Sequence, residues 1–124
     1  MDLDPPVDSL ALRRTDMALR EINSEDIAGI TQAATLTIVD CYATWCGPCS
    51  ALKPRLEAVC EEYKDKGVDI VALDVDKNES FAKEHEIRSI PTLLFYKSGE
   101  VVHTMHGVPN EKRICDKIEQ LQKA

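Results

Sequence analysis

Cys46 and Cys49 stand two residues apart in Trp45-Cys46-Gly47-Pro48-Cys49. A Cys-x-x-Cys pair binds a metal or exchanges a disulfide with another thiol. The flanks favour exchange. Leu36 to Tyr42 is a β-branched, apolar run that reads as a buried strand. Pro48 suits the first turn of a following helix, where its missing N–H is not needed. A strand end leading into a helix N-terminus puts Cys46 at the surface, beside free backbone N–H groups and the positive end of the helix dipole. That setting favours the thiolate, which is the nucleophile in thiol–disulfide exchange. The two-residue spacer lets Cys49 reach back and close a small ring, with one sulfur exposed and the other partly buried.

The implied reaction has two steps. Cys46 attacks a target disulfide and forms a mixed disulfide. Cys49 then attacks Cys46 and releases the reduced target. The second step needs a thiolate at Cys49, inside the protein. Asp40 is the candidate base, because it interrupts the apolar strand Thr37-Ile38-Val39-Asp40-Cys41-Tyr42. A carboxylate there is desolvated, which raises its pKa and lets it accept a proton, directly or through a water. The other reading of Asp40, a solvent-facing edge residue, fits its apolar neighbours less well.

A structural zinc site needs four ligands, usually in two close pairs. The remaining cysteines (Cys41, Cys60 and Cys115) form no second pair, and His85, His103 and His106 fall in different elements. No metal ligand set is therefore expected. Cys41 and Cys60 read as small buried hydrophobes. Cys115 sits at the edge of an apolar helix face and reads as partly exposed, with an intermolecular disulfide or a regulatory modification as the alternative. Trp45, beside the nucleophile, reads as a contact surface for targets.

Strand and helix signals alternate around this motif. A short strand is expected over Ala18 to Ile22, and a helix capped by Asn23 or Ser24 runs to Ala33. The helix opened by Pro48 runs to Lys64 with Leu52, Leu56, Val59 and Tyr63 inward and a kink at Pro54. Val68 to Val75 reads as a second buried strand and Asn78 to His85 as a short helix. Thr92 to Lys97 and Glu100 to His106 form a hairpin through Ser98-Gly99. A last helix spans Asn110 to Lys123, with Ile114, Ile118 and Leu121 inward. The order predicts an α/β domain: a central mixed sheet of about five strands flanked by about four helices.

The segment Val39 to Cys49 resembles the active site of the thioredoxin family, and further landmarks follow in order. Pro54 is similar to the family's proline in the active-site helix, and Ile90-Pro91-Thr92 to its cis-proline loop. Lys97-Ser98-Gly99-Glu100 resembles the family hairpin, and Gly107 a glycine near the substrate groove. The resemblance covers residues 18 to 123 and implies a thioredoxin-like fold, with domain boundaries of 18–124 and an N-terminal extension over 1–17. It also implies a protein-disulfide reductase, with Cys46 as nucleophile, Cys49 as resolving thiol and Asp40 as proton acceptor and donor. Trp45, Gly47, Pro48, Ile90, Pro91 and Gly107 would contact the target. No tightly bound cofactor is implied. The implied partners are disulfide-containing proteins and a thioredoxin reductase that passes on electrons from NADPH. Two positions depart from the pattern: Cys41 replaces a common Phe, and Ala72 stands where bacterial members often carry a Lys near the buried Asp. A rival reading keeps the fold but makes the chain a binding module, with the extension as docking segment.

The rest of the chain agrees with a small intracellular domain. It has 124 residues, a formal net charge of −7 and no basic tract, which argues against a nucleic-acid surface. Its apolar runs are too short to cross a bilayer. The opening residues lack a basic start followed by an apolar stretch, so no export signal is expected. Val7, Leu10 and Ala11 have the spacing of a short extra helix. A cytoplasmic monomer is the expectation.

Overall fold

The computed structural model describes residues 19–123. The expected N-terminal extension, its short helix and the start of the first strand at Ala18 lie outside the described residues. Five strands are present: β1 (Arg20–Ile22), β2 (Leu36–Tyr42), β3 (Val68–Asp74), β4 (Thr92–Lys97) and β5 (Glu100–His106). The α-helices are α1 (Ile27–Ala33), α2 (Gly47–Tyr63), α3 (Glu79–Glu84) and α4 (Glu111–Lys123). A 3-10 turn, Ser24–Asp26, precedes α1, so the first expected helix is divided. The Asp26 carboxylate accepts from the Asn23 N–H at 3.0 Å and fixes that turn.

The strands lie in the order β1-β3-β2-β4-β5. β1, β3 and β2 run parallel, as their helical crossovers require, and β4 and β5 are antiparallel additions. This is the mixed sheet the element order predicts. Ser98 and Gly99 both have positive φ, the backbone of a tight two-residue hairpin turn.

The strand β2 explains its own composition. Side chains alternate between faces, and both faces are covered. Leu36, Ile38 and Asp40 face the layer of α2 and α4, where Leu52, Leu56, Val59, Ile114 and Ile118 pack on Leu93 and Phe95. Val39 and Cys41 face the other layer, with Val71, Leu73, Ile27 and Phe81. Each such aliphatic side chain contributes about 1.5–3 kcal/mol on burial. A charged residue on this strand is therefore out of place unless it has a task, and Asp40 is the one carboxylate there.

Cys41 is fully buried, as its sequence context predicts. Cys60 is not: it is half-buried at the margin of the α2 face, beside Val59, which takes the central position. Cys115 is half-buried as well and donates to the Glu62 carboxylate. α2 continues through Pro54, whose missing N–H leaves the Ser50 carbonyl without a helical donor.

Candidate active site

Cys46 is the N-cap of α2. It is extended (φ −87°, ψ 113°), and Gly47 and Pro48 then enter the helix. The Cys46 N–H is held by the Ala43 carbonyl at 3.2 Å, which turns the chain sharply out of β2. The Cys46 sulfur takes the place that a Ser or Asp oxygen takes at most helix starts: it accepts from the Cys49 N–H at 3.2 Å. The two Cα atoms lie 5.3 Å apart and the sulfurs are bonded. A cysteine in this position can be oxidised to a compact ring, and on reduction its thiolate meets N–H donors and the helix dipole.

One expectation needs correction. The spacing suggested one exposed and one partly buried sulfur. Both cysteines are 6% exposed in this disulfide form. The cause is a small apolar shell: Ala43, Cys46 and Cys49 pack together, with Tyr42, Val75 and Ile90 against them.

Ile90 belongs to the loop that precedes β4, and its peptide bond to Pro91 is cis. The loop is braced from two sides. The Pro91 carbonyl accepts from the Gly107 N–H at 3.0 Å, and Thr92 Oγ1 donates to the Ser89 carbonyl at 2.6 Å. His106 Nδ1 lies 3.2 Å from the same hydroxyl. Gly107 has φ +81°, a conformation that L side chains rarely adopt. Ile90 is thus brought to the disulfide, and Gly107 to Pro91.

Trp45 is the large exposed apolar side chain of the site, at 71%. Its indole N–H donates to Asp76 Oδ2 at 2.8 Å, which holds the ring beside the cysteines. Asp76 is in turn positioned by its own N–H on Asp74 Oδ1 at 2.8 Å. Residue type and spacing do not single out Asp76, which lies 31 residues from Trp45 in a polar turn.

Asp40 is buried at 4% exposure, and its Oδ1 has no hydrogen-bond partner. Burial pushes its pKa up to about 7; the Lys53 ammonium opposes the shift and the Glu21 carboxylate adds to it. Asp40 and Cys49 line one cleft of about 280 Å³, together with Glu21, Tyr42, Ser50 and Lys53. A carboxyl that ionises near neutrality thus faces the same space as Cys49. Among the described residues, no group of three or more His, Cys, Asp or Glu could hold a metal ion, and no helix is long and apolar enough to cross a membrane.

The family model for Thioredoxin matches residues 20–120. The chain belongs to the thioredoxin family. It is 35% identical over 104 residues to thioredoxin of Staphylococcus aureus (strain COL), covering 84% of this chain and 98% of that one. Among solved structures, a point mutant of thioredoxin from Halobacterium salinarum superposes with a TM-score of 0.78 at 28% identity, covering 86% of this chain and 92% of that one. Mitochondrial thioredoxin 3 from Saccharomyces cerevisiae, in its oxidized form, gives 0.73 at 28% identity, covering 82% and 94%. The family and the close-spaced cysteine pair make this chain a thiol–disulfide oxidoreductase with the thioredoxin-like fold.

Proposed function

We propose that the protein reduces disulfides in other proteins and is itself recycled by a thioredoxin reductase drawing on NADPH. The observation that carries this reading is the N-cap position of Cys46, with its sulfur on the Cys49 N–H. In the reduced protein the Cys46 thiolate attacks one sulfur of a target disulfide. A Cys46–target bond forms, the target S–S bond breaks, and the other target sulfur leaves as a thiolate. Asp40 then takes the proton of Cys49. The Cys49 thiolate attacks Cys46, the Cys46–Cys49 bond forms, and the second target sulfur leaves with its electron pair. Two electrons have passed to the target, and the protein is left as the disulfide seen here.

Trp45, Gly47, Pro48, Ile90, Pro91 and Gly107 form the contact surface for the target in this reading. The hydrogen bond from Gly107 to the Pro91 carbonyl supports it, because it holds two of those backbones together next to Ile90. Domain boundaries of 18–124 and a cytoplasmic, monomeric protein complete the reading. The family match over 20–120 supports the domain boundaries.

The test is NADPH oxidation in the presence of a thioredoxin reductase and insulin, with the wild type and Cys46→Ser compared. Turnover confined to the wild type is the expected result. If neither NADPH and reductase nor a chemical dithiol supports insulin reduction, the reductase reading fails and the chain is a binding module with a thioredoxin fold.

A further inference from the structure

Asp40 and Glu21 are joined through one residue. Ala72 on β3 is the Cα partner of Glu21 on β1 and of Asp40 on β2. In a parallel sheet such partners point to the same face. The row across the sheet therefore reads acid, methyl, acid. Only a methyl separates the two carboxyl-bearing positions, and the cleft opens over it, lined by Glu21, Asp40, Ala72 and Lys53 together.

Lys53 arrives from the other wall. It lies four residues after Cys49 on α2, one helical turn on along the same side. Its own position is exposed, as is that of Glu21, so both heads stay hydrated while their stems border the cleft. Tyr42 fixes the acid: its hydroxyl donates to the Glu21 carboxylate at 2.7 Å. Leu93, the Cα partner of Asp40 on β4, carries no charge. Cys41 points to the opposite layer. Asp74, further along the same face of β3, is engaged by the Asp76 N–H. On α2, Cys49 lines the cleft but is bonded to Cys46, while Arg55 donates to the Val108 and Pro109 carbonyls and, like Glu57, does not line it. Among the described residues, the other charged side chains that line this cleft with Asp40 are Glu21 and Lys53.

We propose that Glu21 and Lys53 are opposed positioning residues for the Asp40 proton, acting by charge across the gap that Ala72 leaves. Lys53 favours the ionised carboxylate, which is the form that can take the Cys49 proton. Glu21 favours the protonated form and, being exposed, links the cleft to solvent where that proton is afterwards lost. The inference rests on Asp40 as the proton acceptor of the proposed reaction, but its test does not use that reaction.

The experiment is carbon NMR of the Asp40 side-chain carboxyl in the full-length, oxidised protein across pH, at low and high salt. Lys53→Met keeps the aliphatic stem, and Glu21→Gln keeps an acceptor for Tyr42. The proposal expects the Asp40 midpoint to rise in Lys53→Met and to fall in Glu21→Gln, each by on the order of half to one pH unit at low salt. Both shifts should shrink at high salt, as interactions between hydrated charges do. Should Lys53→Met not fold, Lys53→Gln gives the same arm. A midpoint that is unmoved in either variant, or that moves in the same direction in both, overturns the proposal. Loss of insulin reduction by the wild type would overturn the reductase reading and leave these midpoints as they are.

Discussion

The backbone N–H of Cys49 donates to the sulfur of Cys46 at 3.2 Å, while the two residues are equally buried. Accessibility in this disulfide form therefore does not distinguish the two thiols; the helix start does. Cys46 sits at the cap, where N–H donors converge, and Cys49 sits inside the first turn, donating rather than receiving. In the reduced protein, iodoacetamide is expected to modify Cys46 first. Peptide mapping after brief alkylation checks this. Earlier modification of Cys49 would place the nucleophile on the wrong sulfur.

Asp40 gives the protein a pH-dependent stability. It binds its proton more tightly folded than unfolded, with a pKa raised from 3.8 to about 7. The stability this provides is fully present below about 3.8 and is lost as pH rises through about 7. Asp40→Asn removes the buried charge. It should stabilise the protein above pH 7, by up to about 4 kcal/mol, and make little difference near pH 4. Urea unfolding of both proteins at the two pH values measures the sign. The same variant should slow release of a mixed disulfide, since Cys49 loses its proton acceptor.

Two glycines with left-handed backbone separate strain from crowding. Gly107 has φ +81° with open space where a Cβ would stand. Gly107→Ala should cost only the backbone term, about 1–2 kcal/mol. Gly67 has φ +82°, and a Cβ there would meet Thr35 Oγ1 at 2.7 Å, so Gly67→Ala should cost more. Denaturant midpoints of the two variants rank them. Gly107→Ala should also weaken use of protein targets, because relaxing that backbone strain moves the N–H that holds the Pro91 carbonyl.

Arg55 ties the active-site helix to the loop beyond Gly107. One guanidinium nitrogen donates to the Val108 and Pro109 carbonyls at 3.3 and 3.1 Å. Arg55→Met should destabilise the fold by about 1–3 kcal/mol and speed amide exchange in the 107–110 loop. Unchanged exchange there would show that the loop does not depend on this contact.

Much of the fold was legible because the elements obey one simple pattern each. The continuous β-branched, apolar run Leu36–Tyr42 and the spacing of Leu52, Leu56, Val59 and Tyr63 place their strand and helix directly. The division of the first helix was not legible. It depends on Asp26 reaching back to the Asn23 N–H, and both residue types are also ordinary N-caps. The cysteine pair and Asp40 announce themselves by residue type. Asp76, Arg55, Glu21 and Lys53 do not, since exposed charges are the commonest residues on any surface and only the fold brings them to the site. Lys53 had one readable signal, its four-residue spacing from Cys49. The equal burial of the two cysteines needed Ile90 and Val75, which close on them from elements far along the chain.

The central claim is that Cys46 attacks and Cys49 resolves. Mass spectrometry of the reduced Cys49→Ser and Cys46→Ser variants, each mixed with a disulfide-bonded protein, tests it most directly. The account predicts a lasting covalent adduct through Cys46 in Cys49→Ser and no adduct at Cys49 in Cys46→Ser. An adduct through Cys49, or none in either variant, would contradict it.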